Sequence, residues 1–255
     1  MNRDLRELLE GWEFEPGKIS VRKIIGRAGR EKIQTRVDLG VLQFEPLGRP
    51  DGKSPFGCES LLDHHERRLA ESAPADQEAT FTLSPEDCRE LRHEAYLYYQ
   101  RYLSYFVLED WDGVERDTLR NLRAMDLCRE YAATDADRAA LEPQRAYTIM
   151  MNTRARVYRA LLSEQFGDGL RMLDEAICHI RNLPRPEDDN EPVTVAAQEL
   201  GILAELRQEL VQRMPTDAPE RLEWDLHVAL ESEAYERAAE IRDKLAGQKR
   251  LRSAS

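Results

Sequence analysis

Apolar positions change their period partway along the chain. After a short amphipathic start at Leu5, Leu8 and Leu9, the residues Ile19, Val21 and Ile25 fall on one parity. Beyond "GRAG", Ile33, Thr35, Val37 and Leu39 alternate with polar neighbours. Period two marks a half-buried strand, so the spacing predicts a β-hairpin turned by Gly26 and Gly29. Gly40 then allows a bulge or bend before a third short strand in "VLQFEP". The stretch "LGRPDGKSPFG", residues 47–57, is dense in Gly and Pro and is expected to be loop. A short helix over 60–71 and a linker at "SAPADQEAT" follow.

From Ser84 the period becomes helical. Ser84-Pro85-Glu86-Asp87 carries a cap, a proline at the first helical position and an acid at the third. A stripe of Leu91, Ala95, Tyr98, Tyr99, Tyr102, Tyr105 and Phe106 follows and breaks at "EDWDG". The next helix places Val114, Leu119, Leu122, Met125, Leu127 and Cys128 on its apolar side. Thr134 with Asp137 caps another start, Pro143 is expected to kink or restart it, and the helix runs through Tyr147, Met150, Met151, Val157, Ala160 and Leu161 to a halt near "EQFGDG". Helices over about 169–182 and 193–213 complete this region.

A shift of 55 residues superimposes two helix pairs, matching Trp111 with Phe166, Glu109 with Glu164, Arg116 with Arg171 and Leu122 with Ile177. The second copy resembles a tetratricopeptide repeat, which wants small or apolar residues where Val157, Ala160, Gly169, Leu173 and Ala176 stand and an aromatic at Phe166. The first copy departs from it, with Asn121 where a small residue belongs and Val114 for Gly169.

Near the C-terminus, Asp217-Ala218-Pro219-Glu220 is another capped start, with Leu222, Leu226, Ala229 and Leu230 at helical spacing. After "ESEAY", the residues Tyr235, Ala238, Ala239, Arg242 and Leu245 form a second stripe. Adjacent alanines let a facing helix approach closely. So small a hairpin buries too little surface to stand alone and needs something to pack against. "LEWDLHVALESEAYERAAEIRDKL" resembles the UVR motif shared by the excision-repair proteins UvrB and UvrC. The matching positions are Leu222, Leu226, Ala229, Tyr235, Glu236, Ala238, Ala239, Arg242, Asp243 and Leu245. That resemblance implies a protein-docking hairpin; the plain alternative is a hairpin that only caps the helical body. No phosphate loop of the GxxxxGK[ST] type accompanies it. The whole chain also resembles an uncharacterised bacterial family that carries this motif together with segments similar to "KIQTRVDLG" and "GRPDGKSPFG", which implies no activity.

Charge sharpens the N-terminal region. The 255-residue chain has a formal net charge of −12, yet Lys18 to Arg36 holds seven basic residues against one acid, a local +6 that leaves −18 elsewhere. Such an acidic total argues against a surface that binds nucleic acid or anionic membrane throughout. The basic ribbon is the one nucleic-acid candidate. Alternation turns Arg22, Lys32, Gln34 and Arg36 away from Val21, Ile33, Thr35 and Val37, toward a phosphate backbone or toward the chain's own acids. No aromatic alternates with these cations as a stacking platform requires.

Other chemistry is sparse. Cys58, His64, His65, Cys88 and His93 share no ligand spacing, so no metal is expected. "HHERR" and "HEAYL" miss the HExxH pattern, and no GxSxG is present. Asp51 and Asp63 near Arg49 could serve as acids only if the 49–58 loop formed a site. The tyrosine stripe reads as core with its hydroxyls at the rim. Cys58, Cys88, Cys128 and Cys178 are scattered and fit reduced buried thiols. With no apolar leader at its start, the chain is expected in the cytoplasm, without a membrane partner.

These patterns predict a mainly α fold: an antiparallel helical-hairpin, tetratricopeptide-like array with a small N-terminal β-hairpin module and a C-terminal helical hairpin. The expected divisions are 1–75, 84–213 and 217–247. The function expected is that of a non-catalytic adaptor or scaffold without cofactor. Its protein partner would be bound through the array and through Leu222, Leu226, Ala229, Tyr235, Ala238, Ala239, Arg242, Asp243 and Leu245. An accessory nucleic-acid binder using Arg22, Lys32 and Arg36, linked to DNA repair, is the alternative. An enzyme centred on the Arg49 to Cys58 loop stands third.

Overall fold

The fold is mainly α, with a three-stranded antiparallel sheet near the N-terminus. The computed structural model describes residues 5–27, 29–72, 81–184 and 196–253, with side chains to residue 248. Two compact units divide the chain, Met1–Ala155 and Arg156–Ser255, and the division falls within the 84–213 stretch. The expected linker at "SAPADQEAT" and the break at "LPRPEDDNEP" lie for the most part outside the described residues.

The sheet pairs β1 (Ser20–Ile25) with β2 (Glu31–Val37) and β2 with β3 (Gly40–Phe44). Gly26 and Gly29 make the first turn: Gly29 sits at φ +70, and its N–H donates to the Gly26 carbonyl at 2.9 Å. The second turn corrects two expectations. Val37 pairs directly with Gly40, so Asp38-Leu39 is a two-residue hairpin loop. Leu39 is therefore 88% exposed instead of continuing the buried parity, and Gly40 starts a strand instead of making a bulge.

Ile33 and Phe44 on the inner face, with Val21 and Leu42 beside them, pack against Tyr105, Val114 and Ala155. Thr35 Oγ1 and Ser104 Oγ share a hydrogen bond of 2.6 Å there. Arg22, Lys32, Gln34 and Arg36 share the opposite face, as alternation requires. The end of that face at Ser20, Arg22 and Arg36 is covered, while Gln43 on it stays exposed. The segment from helix α1 (Arg6–Leu9) to Lys18 crosses it as a strap, with Trp12 stacked 3.9 Å from the Arg22 guanidinium and Phe14 5.8 Å from that of Arg36. Arg22 Nη2 donates to the Leu8 carbonyl at 3.1 Å, Arg36 Nε to the Trp12 carbonyl at 3.0 Å, and Trp12 Nε1 to Ser20 Oγ at 2.6 Å. No residue from Leu5 to Lys18 is buried. A few hydrogen bonds worth about 1 kcal/mol each and two partly exposed cation–π contacts hold the strap, a hold of only a few kcal/mol.

Helix α2 (Leu61–Ser72) and the hairpin of α3 (Pro85–Val107) and α4 (Trp111–Tyr131) form the body of the first unit. Ser84 caps α3 as expected. Its hydroxyl accepts from Asp87 N at 3.1 Å, the Asp87 carboxylate accepts from Ser84 N at 2.9 Å, and Pro85 takes the first helical position. At the open end of the hairpin, Leu83 N donates to Tyr131 O at 2.8 Å and Ala133 N to Leu83 O at 3.0 Å, tying the two helices together. Leu91, Ala95, Ala124, Met125 and Cys128 share a core with Leu61 and Leu62. Leu119, expected on the apolar side of α4, is exposed, because Asp117, Thr118, Arg120 and Asn121 take the buried positions there.

Gly113 lets α4 close onto α3, since a Cβ there would lie 2.6 Å from the Tyr105 ring. Gly113→Ala is expected to cost about 1–3 kcal/mol through forced repacking, read as a lower urea midpoint. An unchanged midpoint would mean that the ring has room to move.

After α5 (Asp135–Ala139) a 3-10 turn at Glu142–Gln144 holds Pro143, and α6 (Arg145–Leu162) starts anew, as the proline predicts. The second unit contains α7 (Phe166–Arg181), α8 (Ala197–Arg213), α9 (Pro219–Glu231) and α10 (Tyr235–Ser253). Helix α7 begins at Phe166, not at Gly169. Asp217 does not cap α9; its carbonyl instead accepts from Gln248 Nε2 at 2.6 Å, fastening the base of the last hairpin. Cys178 is exposed, unlike the three buried cysteines. No described helix is long and apolar enough to cross a membrane.

Candidate functional site

Three helix-to-helix turns share one geometry. Glu109, Glu164 and Glu233 all adopt left-handed φ, at 55°, 56° and 57°. In each, the N–H after the glutamate reaches back five residues: Asp110 N to Tyr105 O (2.9 Å), Gln165 N to Ala160 O (2.8 Å), Ala234 N to Ala229 O (2.8 Å). The glutamate's own N–H bonds three residues back, to Phe106, Leu161 and Leu230. This is the Schellman end of a helix, with glutamate in the position that glycine favours. Each turn then opens the next helix with an aromatic: Trp111, Phe166 or Tyr235. The C-terminal hairpin is thus a third copy of the turn that a shift of 55 residues reveals only twice.

Each turn carries an apolar pair, one residue three before the glutamate and one two after it. In the first hairpin the pair is Phe106 and Trp111, 5.3 Å apart edge to face, and both pack against the cluster that the sheet supplies. Lys23 of β1 adds a hydrogen bond to the Asp110 carboxylate at 3.3 Å. Leu161 and Phe166 are half-buried. In the C-terminal hairpin, Leu230 is 50% and Tyr235 66% exposed. Glu231, Glu233 and Glu236, their neighbours in sequence, are exposed.

The remaining hairpin residues divide by side. Leu222, Ala229, Ala238, Ile241 and Leu245 form a core between α9 and α10, with Leu226 and Ala234 packed against it. The stripe on α10 therefore runs Ala238, Ile241, Leu245, with Ala234 just before the helix in line with it. Ile241 belongs to it, whereas Ala239 is half-buried and Arg242 lies off it. Ala238 gives the close approach that the alanine pair suggests. Arg242 and Asp243 are exposed, 4.0 Å apart, a contact worth about 0–1 kcal/mol.

Arg22, Lys32 and Arg36 of the basic ribbon are engaged inside the fold. Arg36 Nη1 donates to the carbonyls of Val37, Asp38 and Gly40, the last two at 3.0 Å, and Lys32 pairs with Glu45. Arg22 Nε donates to Gln34 Oε1 at 2.9 Å, and Gln34 Nε2 to Gln43 Oε1 at 3.0 Å, making a polar ladder across the three strands.

Beneath the Gly/Pro loop lies a buried ionic network that the sequence pattern does not reveal. Glu94 Oε2 accepts from Leu61 N at 2.9 Å and lies 3.4 Å from Arg49 Nη1; its Oε1 accepts from Leu62 N at 3.3 Å and from Arg120. The carboxylate thus serves as the anion at the α2 N-terminus. Arg101 forks onto Asp117 at 2.7 and 2.8 Å, and its other nitrogen holds the carbonyls of Glu45 (2.9 Å) and Gly48 (2.7 Å). Tyr105 and Arg116 both donate to Pro46 O. Arg49 Nε lies 3.0 Å from Asp51, whose Oδ1 also accepts from Lys53 N at 3.1 Å. Asp63 accepts from Ser60 Oγ at 2.8 Å. Asp51 and Asp63 are engaged in local turns, and the arrangement bolts the loop to α3 and α4. One signal of this network stands in the sequence: Asn121, the departure from the repeat pattern, donates to Ala95 O at 2.9 Å and accepts from Arg120 at 3.1 Å.

His65, buried beside this network, has Nδ1 3.0 Å from Arg68 and Nε2 3.9 Å from Asp87. Burial lowers it from 6.5 to about 4. The unfolded chain therefore binds the proton first as pH falls, so stability is complete above about 6.5 and is lost as pH drops toward 4. Urea midpoints at several pH values should show a smaller acid loss in His65→Gln than in the native chain; parallel curves would contradict this assignment.

Comparison with known protein-family models gives no match, and neither the curated proteins nor the solved structures contain a match to this chain.

Proposed function

We propose that the protein is a non-catalytic adaptor that holds a protein partner on the tip of its UVR-like C-terminal hairpin. One comparison within the chain carries this reading. The turn of the first hairpin already serves as a seat, its Phe106–Trp111 pair covered by the sheet and its Asp110 read by Lys23. The equivalent pair of the last hairpin, Leu230 and Tyr235, has no such cover among the described residues, and the exposed Glu231, Glu233 and Glu236 flank it along the chain, with Arg237 one cation among them. By the same logic the partner offers apolar side chains flanked by Lys or Arg. Aromatic anchors with charged rims are where binding energy concentrates. The resemblance to the UVR motif supports the same use. The apolar hairpin residues Leu222, Ala229, Ala238 and Leu245 serve it indirectly, by holding α9 and α10 together.

Co-purification of the full chain from its native host, beside a chain ending before Asp217, tests the proposal. Loss of a stoichiometric partner on truncation is expected, with elution by moderate salt because the rim is charged. Identical partner sets would leave the hairpin a cap and nothing more.

A further inference from the structure

We propose that the outer face of the sheet is a binding site for single-stranded nucleic acid, closed here by the N-terminal strap. Strand pairing brings Arg22, Lys32 and Arg36 onto one face, with the Gln34 and Gln43 amides between them. What the strap covers is polar, so covering it gives little hydrophobic burial, and no strap residue from Leu5 to Lys18 is buried.

The strap resembles the ligand chemically. Glu7, Glu10, Glu13 and Glu15 against Arg6 and Lys18 leave it with a net charge of −2, the sign of a phosphate backbone. Its carbonyls at Leu8 and Trp12 accept from Arg22 and Arg36, where phosphate oxygens would accept. Trp12 lies over the Arg22 guanidinium at 3.9 Å, the place an unstacked base takes on an arginine plane. Cations with a guanidinium stacking plane and the exposed Gln43 amide suit a nucleotide strand better than a featureless polyanion. Trp12 and Phe14 lie between Gly11 (φ +71) and Gly17 (φ +80), each with open space where a Cβ would be, so no packed neighbour clamps either end.

Anisotropy of fluorescein-labelled oligothymidylate and oligouridylate tests this with the full chain at low and moderate salt. Loosening the strap with Trp12→Ala and Phe14→Ala together should tighten binding at least roughly tenfold. The logarithmic salt slope should steepen by about 0.7 for each additional phosphate that the opened face neutralises. Adding Arg22→Gln and Lys32→Gln should abolish the tighter binding, while Arg27→Gln with Arg30→Gln, at the hairpin tip, should leave it. Lys32→Glu alone reports on the face if the combined variant melts early. A loosened strap that binds no more tightly than the native chain would overturn the proposal, as would tighter binding that survives the changes on the face.

Discussion

Glu94→Ala is expected to lower the stability of the first unit by about 3–5 kcal/mol, the range found when one partner of a buried charge pair is removed. Glu94 is fully buried and accepts from Leu61 N, Leu62 N and Arg120, with Arg49 at 3.4 Å. Without it, two cations and two helix-terminal N–H groups lose their shared anion at once. Arg120 is already strained in this respect: its Nε has no partner, and burial pulls its pKa down to about 9. A second measurement separates a charge effect from a packing effect. Glu94→Leu combined with Arg120→Met should recover only the part of the loss that comes from the stranded Arg120, since Arg49 and the Leu61 and Leu62 N–H groups still lack their anion. If Glu94→Ala shifts the urea midpoint no more than a surface substitution does, the network is not a support of the fold.

Asp117→Ala should cost a similar amount, about 3–5 kcal/mol. Asp117 is fully buried, is forked by Arg101 and accepts from Arg116 Nε at 3.1 Å. Arg101 in turn holds the loop carbonyls of Glu45 and Gly48, so the loop should loosen along with the hairpin. Limited proteolysis between residues 45 and 58 reads the second effect directly. Arg101→Lys keeps the charge but loses the fork, and should still open the loop to cleavage. Protection of the loop in both variants would show that its own turns suffice, including the left-handed Phe56 and the glycines at 48, 52 and 57.

Most elements are legible in the sequence because local signals agree with the tertiary outcome. The Ser84 box, the restart at Pro143 and the alternation through β2 each specify structure without long-range help. Leu39 departs from its parity because a two-residue turn interrupts the strand there. The ionic network is illegible for a different reason. Arg101, Asp117, Arg120 and Glu94 have the composition of a solvated helix face, and only the close seam between α3 and α4 puts them inside. In the last hairpin, the alanine pair marks Ala238 correctly but not Ile241, because two adjacent small residues fix a close approach without fixing which way the helix turns around it. Trp12 and Phe14, which cover the ribbon's arginines, stand outside it in the sequence, and only the strap brings them over it.

The adaptor account rests on the exposed apolar pair at the last turn, so changing that pair alone tests it most directly. Leu230→Glu with Tyr235→Glu in the full chain touches neither the α9–α10 core nor the bond from Gln248 to Asp217. The measurement is the amount of partner retained on the chain purified from its native host, taken alongside its melting curve. The account predicts that the partner is lost while the melting curve stays within the small range typical of surface changes, about 0.5 kcal/mol. Undiminished retention of the same partners would contradict it.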